Sequence, residues 1–368
     1  MKAAHASSRT SRVPTATLRG SFRAIVLNNG MLRLKEESLR VPSGPAAVVR
    51  IAATGVCSAD LKEIRGERSW RSDFGHELVG TVSHVSGDTS LHIGDRVCLN
   101  PNVQVARTSG FAEYVVVNAP GERLSEALPV FASNQPAAAI VWTEPLAVAV
   151  HCLARLECLL RARESTTRDV TVIGSGLFAR LIALTMRHSG AHVSLCTSSS
   201  HRLERMRRDP ALVGITIIKT RESEAGSADA VVLAGENVDG ATFQMALATV
   251  RRQGVVLFFA RPTPEVDGIL GCSAGRLREQ ELSVETSGLQ GTQIAGSYGA
   301  TFGDFTTAAA LHPELAPLLA LMTDGVVPLT AACDALTSLA AARPYGKTVV
   351  TTPYTRVFDA ESSADNSP

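Results

Sequence analysis

Six consecutive residues, Gly174-Ser175-Gly176-Leu177-Phe178-Ala179, have the types and spacing to hold a phosphate. They follow a strand-like apolar run, Val170–Ile173, and open a stretch of helical periodicity, Leu177–His188. In a G-x-G-x-x-A turn the first glycine makes the tight turn and the second admits a pyrophosphate close to the backbone. The small third residue lets helix and strand pack closely. The helix N-terminus adds free N–H groups and positive potential. An acid at the end of the next strand would bind the ribose 2′-hydroxyl of NAD. Here that place reads Cys196-Thr197-Ser198-Ser199-Ser200-His201-Arg202, with no carboxylate. Hydroxyls and an arginine suit a phosphate dianion, so Thr197, Ser198 and Arg202 favour NADP(H) over NAD(H). Arg207 and Arg208 read as a solvated helix face.

Ahead of this turn stand, in order, Gly55-Val56-Cys57-Ser58-Ala59-Asp60, Gly75-His76-Glu77, Gly94-Asp95-Arg96-Val97, Gly110-Phe111-Ala112-Glu113-Tyr114 and Thr143-Glu144-Pro145-Leu146-Ala147. Later echoes are Ala295-Gly296-Ser297-Tyr298-Gly299 and Gly346-Lys347-Thr348-Val349-Val350. In this order the motifs resemble the zinc-dependent medium-chain dehydrogenase/reductase family over about residues 22–355. The resemblance implies an α/β chain: a GroES-like, β-rich catalytic domain plus a Rossmann doubly wound parallel sheet. It also implies one catalytic zinc held by Cys57, His76 and Glu144, with Glu77 beside it and able to exchange onto the metal. Asp60 matches the family's acid that orients the ligating histidine. Thiolate, imidazole and carboxylate form a borderline-soft donor set, and three protein ligands leave a position for water or substrate. Zinc there would stabilise the alkoxide that gives or receives hydride. A carboxylate as third ligand looks more like the polyol and threonine dehydrogenase branch than the liver alcohol dehydrogenase branch.

The sequence departs from the family pattern twice. The lobe that carries four closely spaced cysteines in the family should lie between Val97 and Gly110. Only Cys98–Ser109 separates them, with one cysteine, so no structural zinc is expected. The family's proton relay also places a hydroxyl two residues after the ligating cysteine and often a histidine three further on. Those places hold Ala59 and Lys62. Alanine passes no proton, so Lys62, Glu77 or a water chain takes over acid–base work, or the chemistry is not simple alcohol oxidation.

The elements that must position these residues fall into two patterns. Short valine-rich runs cut by turns (Ala24–Leu27, Ala46–Ala52, Leu78–Val85, Arg96–Leu99, Glu113–Val117) read as strands of a β domain. From Asp169 onward, strand-like runs at Asp169–Ile173, His192–Cys196, Ile215–Ile218, Asp229–Leu233 and Val255–Phe259 alternate with helical stretches, including Gly240–Arg251. That alternation implies βαβ units and a parallel sheet covered on both faces. A helical stretch, Asp304–Leu311 and then Leu315–Leu321, leads to a last strand, Lys347–Thr351. The expected division is 22–147 with 297–357 as a discontinuous catalytic domain, and 148–296 as the nucleotide-binding domain. Residues 1–21 and 358–368 read as disordered. The first of these carries four basic residues and no acid, a composition that overlaps with organellar transit peptides.

The 368 residues carry 36 basic and 35 acidic side chains and 5% aromatics, which argues against a nucleic-acid partner. No uninterrupted apolar run approaches the roughly 20 residues that span a bilayer, so no membrane partner is expected. Seven irregularly spaced cysteines without a Cys-x-x-Cys pair point to reduced thiols and a cytoplasmic protein. The expected function is a zinc-dependent, NADP(H)-linked oxidoreductase interconverting a secondary alcohol and a ketone, on a polyol- or sugar-like small molecule. The alternatives are reduction of a conjugated double bond, a reaction in which hydride is borrowed and returned, or a non-catalytic NADPH-binding protein. A homo-oligomer, dimer or tetramer, is expected from the resemblance. Ile64, Trp70, Phe111 and Tyr298 are candidate pocket walls.

Overall fold

The structure, a computed structural model, describes residues 20–352 apart from 29, 69–73, 133–134, 164–167, 287–290 and 343. Trp70 and nearly all of the two terminal segments therefore lie outside the described residues. Ser21, read as part of the disordered start, instead opens the strand Ser21–Asn28.

Two seven-stranded sheets form the frame. In the first, the order is Thr216–Lys219, His192–Thr197, Asp169–Ile173, Ala228–Leu233, Val250–Phe258, Thr292–Gly296 and Ser283–Thr286. All pair in parallel except the last, which is antiparallel to Thr292–Gly296. In chain order the first six run 3-2-1-4-5-6, the doubly wound arrangement with its crevice between the first and fourth strands. Strands buried on both faces read as continuous apolar runs, and Ala228–Leu233 is buried at every position.

The second sheet gathers strands from both ends of the chain. Ala46–Gly55 is its spine, pairing along its length with Glu77–Ser86. Its first half also pairs with Tyr114–Asn118 and its last residues with Val349–Thr351 of the strand Lys347–Thr351. Thr323–Pro328 closes that edge. A separate hairpin joins Ser21–Asn28 to Met31–Ser38. The second of these strands is not among those read from sequence: its alternation is confined to Leu32 and Leu34, and the rest of it is exposed.

The long helix Thr143–Arg161 lies between the sheets, packed on the helices Leu177–His188 and Phe302–Leu321. The stretch Ala137–Arg161, though interrupted by Glu144, Arg155 and Glu157, is long and apolar enough to cross a membrane by length and composition. Most of that stretch is buried inside the protein, in the core shared by both sheets. The helical stretch read there is the single helix Phe302–Leu321, which runs on through Pro313 and Pro317.

Candidate metal and nucleotide site

The thiol of Cys57 precedes the helix Ser58–Ile64, at the end of the turn that follows the spine strand. His76 and Glu77 sit where Glu77–Ser86 begins, across from Gly55. The ligand atoms of Cys57, His76 and Glu77 all lie within 4.8 Å of one another, the one such group among the described residues. Glu144, at the start of the long helix, is not a member of that group. It is buried beside it, however, and its Oε2 has no hydrogen-bond partner. Burial pushes its carboxyl up to about 7, against the pull of His76 and with the push of Glu77.

Asp60 and Lys347 hold this corner in shape. Asp60 is buried, and its two oxygens accept the backbone N–H groups of Cys57 (3.0 Å) and Gly75 (2.8 Å). Its Oδ1 lies 3.5 Å from His76 Nδ1, which leaves the other ring nitrogen for the group's centre. Burial opposes both charges, yet their mutual attraction holds Asp60 below its ordinary range and His76 well above its own. Gly75 has φ +76, and a Cβ there would also lie 2.8 Å from the Phe111 ring. Glycine is therefore required on two counts.

Lys347 Nζ donates to Glu77 Oε2 at 2.5 Å and to the Val56 carbonyl at 3.4 Å, with both side chains fully buried. Burial works against the ammonium, but Glu77 and Cys57 hold its pKa above the ordinary lysine value. Gly55 lies in register between Glu77 and Val349, and a Cβ there would run into the Glu77 carboxylate. The pair forms because the spine has no side chain at that point. Sequence reading listed Lys347 only as part of an echo of the family, and its partner lies 270 residues away.

Lys62 is elsewhere. It is half-buried on Ser58–Ile64, and the group that feels its charge is Glu67, beyond the helix end. Ala59 is half-buried and Ser58 exposed. Phe111 is fully buried against Phe74, with ring centroids 5.1 Å apart, and Ile64 belongs to the same core. Phe111 is core support, not pocket wall. Tyr298, by contrast, is half exposed.

The predicted phosphate turn lies at the carboxyl end of Asp169–Ile173 and leads into Leu177–His188. Gly174 has φ +153, and a Cβ there would approach the Ala234 carbonyl to 2.5 Å. Gly176 precedes the helix, and a Cβ on it would meet nothing within 4 Å. Ala179 is buried where helix meets strand. Ser175, Leu177 and Phe178 are half-buried, and the Phe178 ring lies 5.4 Å from that of Phe259.

At the end of His192–Thr197, Thr197 is buried and its hydroxyl accepts the Ser199 N–H at 3.2 Å, while Ser198 is exposed. Arg202 lies 5.6 Å from the Tyr345 ring, which Arg180 and Arg205 also flank at 3.5 and 4.1 Å. Lys219, which sequence reading passed over, ends Thr216–Lys219 in register with Thr197.

Comparison with known proteins agrees with this architecture. Residues 44–125 match the alcohol dehydrogenase GroES-like domain family. L-galactonate-5-dehydrogenase of Escherichia coli K12 is 24% identical over 196 residues, which are 46% of this chain and 54% of that enzyme. The chain thus spans about half the length of the curated relative it matches. A zinc-binding dehydrogenase from Sinorhizobium meliloti 1021, solved with NADP, superposes with a TM-score of 0.67 at 20% identity, covering 90% of this chain and 99% of that one. L-idonate 5-dehydrogenase of E. coli K-12 gives 0.66 at 16% identity, covering 92% and 100%. The chain thus carries an alcohol dehydrogenase GroES-like domain at residues 44–125 and shares its fold with zinc-binding and polyol dehydrogenases along nine-tenths of its length.

Proposed function

We propose that the chain is a zinc-dependent, NADP(H)-linked oxidoreductase that interconverts a secondary alcohol and a ketone on a polyol- or sugar-like small molecule. One observation carries this reading. A thiol, an imidazole and a carboxylate converge within 4.8 Å, next to a buried carboxylate with an orphaned oxygen. That set fits a zinc ion. Cys57, His76 and either Glu77 or Glu144 would hold it, and when bound it would polarise the substrate oxygen. The chain's own groups do the rest. Asp60 fixes the His76 ring, and Lys347 holds one oxygen of Glu77.

Cofactor choice rests on the ribose end. Thr197, Ser198 and Arg202, with Lys219 beside them, offer hydroxyls and cations to a 2′-phosphate. The open space over Gly176 and the N-terminus of Leu177–His188 suit a pyrophosphate. The NADP bound to the S. meliloti dehydrogenase and the sugar-acid substrates in the names of the E. coli relatives support the same reading. We place the catalytic unit at 22–147 and 297–357, and the nucleotide unit at 148–296. Assembly as a homo-oligomer belongs to this proposal too.

Ala59 favours a second reading, in which a conjugated double bond is reduced or hydride is borrowed and returned. Stopped-flow absorbance of NADPH distinguishes the two. Net consumption with polyol-derived ketones supports the first. Transient oxidation and recovery, or turnover with enones alone, supports the second.

A further inference from the structure

His151 lies seven residues beyond Glu144 on the helix Thr143–Arg161, about two turns on and on the same face. No part of the proposed chemistry uses it, yet both of its ring nitrogens are held by carboxylates. Its Nδ1 is 2.8 Å from Asp304 Oδ2, and its Nε2 is 2.7 Å from Glu281 Oε1. Asp304 sits in the first turn of Phe302–Leu321 and also accepts the N–H and hydroxyl of Thr301, each at 2.7 Å. Glu281 Oε1 also accepts the Tyr298 N–H at 2.9 Å.

The same helix grips this region twice more. Arg155 donates to the carbonyls of Glu281 (2.5 Å) and Gly296 (3.4 Å), and the Cys152 thiol bonds Ser297. Glu281 itself has φ +51, a left-handed conformation uncommon for any residue but glycine. Such backbone persists where the surroundings over-determine it.

These contacts converge on one turn. Gly296 ends the sixth strand of the nucleotide sheet, and Ser297 and Tyr298 come directly after it, at the carboxyl edge where the crevice of a doubly wound sheet opens. That strand belongs to the second half of the sheet, the half that receives the nicotinamide end of a dinucleotide. We infer that His151 is a positioning residue: as an imidazolium bridging Asp304 and Glu281, it fixes the Ser297–Tyr298 turn against the helix that begins at Glu144, and so sets the nicotinamide wall of the crevice relative to the metal corner. This rests on the reading that the crevice binds NADP(H).

The charge requirement follows from valence. A neutral imidazole donates from one nitrogen only, whereas two carboxylates each need a donor. The charged groups facing His151 are those two carboxylates, with Arg155 on its own helix. Hydrogen bonds that it donates to Asp304 and Glu281 lift its pKa to about 9. Because the folded value is raised, the bridge is complete below the ordinary histidine pKa and is lost as pH rises through about 9.

The test is NADPH affinity by fluorescence titration across pH 7–10, a range in which reduced nicotinamide is stable, on wild type, His151→Gln, Glu281→Gln and the double variant. At pH 7 each single variant should raise the NADPH Kd roughly tenfold, and the double variant should be no worse than either single one. The wild-type Kd should climb toward theirs above pH 9, while theirs stay level. Singles within twofold of wild type, additive losses in the double, or a flat wild-type profile to pH 10 would overturn the inference. The wild-type series decides even where a variant fails to fold. A wild type that binds neither NADPH nor NADH would instead sink the underlying functional reading, and the inference with it.

Discussion

At the metal corner, Asp60, Glu77 and Lys347 are buried and each bonds a fixed partner, with Gly55 and Gly75 clearing the space. At the ribose end, Ser198 is exposed and Arg202 is half-exposed beside Tyr345, among other arginines. The first region is pre-formed by sheet register, because strands pairing at Gly55 leave Glu77 and Lys347 no other meeting place. The second consists of side chains on a helix start and two strand ends, which can shift to meet an anion. Substitutions at the corner should therefore cost both chemistry and folding, whereas those at the ribose end should change preference and little else.

The largest effect expected is at the donor set. Cys57→Ala or His76→Ala should lower kcat/KM by about 10³-fold or more, because several kcal/mol of charge stabilisation is lost. Steady-state assays with metal content measured alongside will check this. Next comes the buried pair. Lys347→Met strands the Glu77 carboxylate and should cost about 3–5 kcal/mol in urea unfolding, whereas a double Lys347→Met, Glu77→Leu variant should recover most of that. If Lys347→Met is as stable as wild type, the corner is not pre-formed as described.

Asp60→Asn keeps the shape but weakens the hold on His76, so zinc affinity should fall roughly 10- to 100-fold in a chelator competition. The smallest effect is at the ribose end. Arg202→Ala should raise the Kd for NADPH about tenfold, the scale of one charge-assisted hydrogen bond, and leave NADH unchanged. An equal loss for both nucleotides would place Arg202 away from the 2′-phosphate.

What could be read from sequence divides along the same line. The turn Gly174–Ala179 was legible because its chemistry is local: glycine type and position, a strand before and a helix after. Cys57, His76 and Asp60 came from short motifs, and the structure brings them together. The partners that hold them were not legible. Lys347 meets Glu77 across 270 residues, and His151 meets Glu281 and Asp304 across 130 and 153. No periodicity reports which charges a sheet register or a helix packing will bring face to face. The strand Met31–Ser38 escaped for a simpler reason: its alternation is confined to Leu32 and Leu34, and exposed polar residues follow. Phe111 misled in the opposite sense, since an aromatic in a motif suggested a pocket where the fold needed a core.

The central claim is that Cys57, His76 and their neighbouring carboxylates hold a metal that the rest of the corner is built around. The most direct test is zinc content by elemental analysis of protein purified without chelators, for wild type and Cys57→Ala. The account predicts one zinc ion per chain in wild type and its loss in the variant. No zinc in wild type, or the same zinc in both, would contradict it.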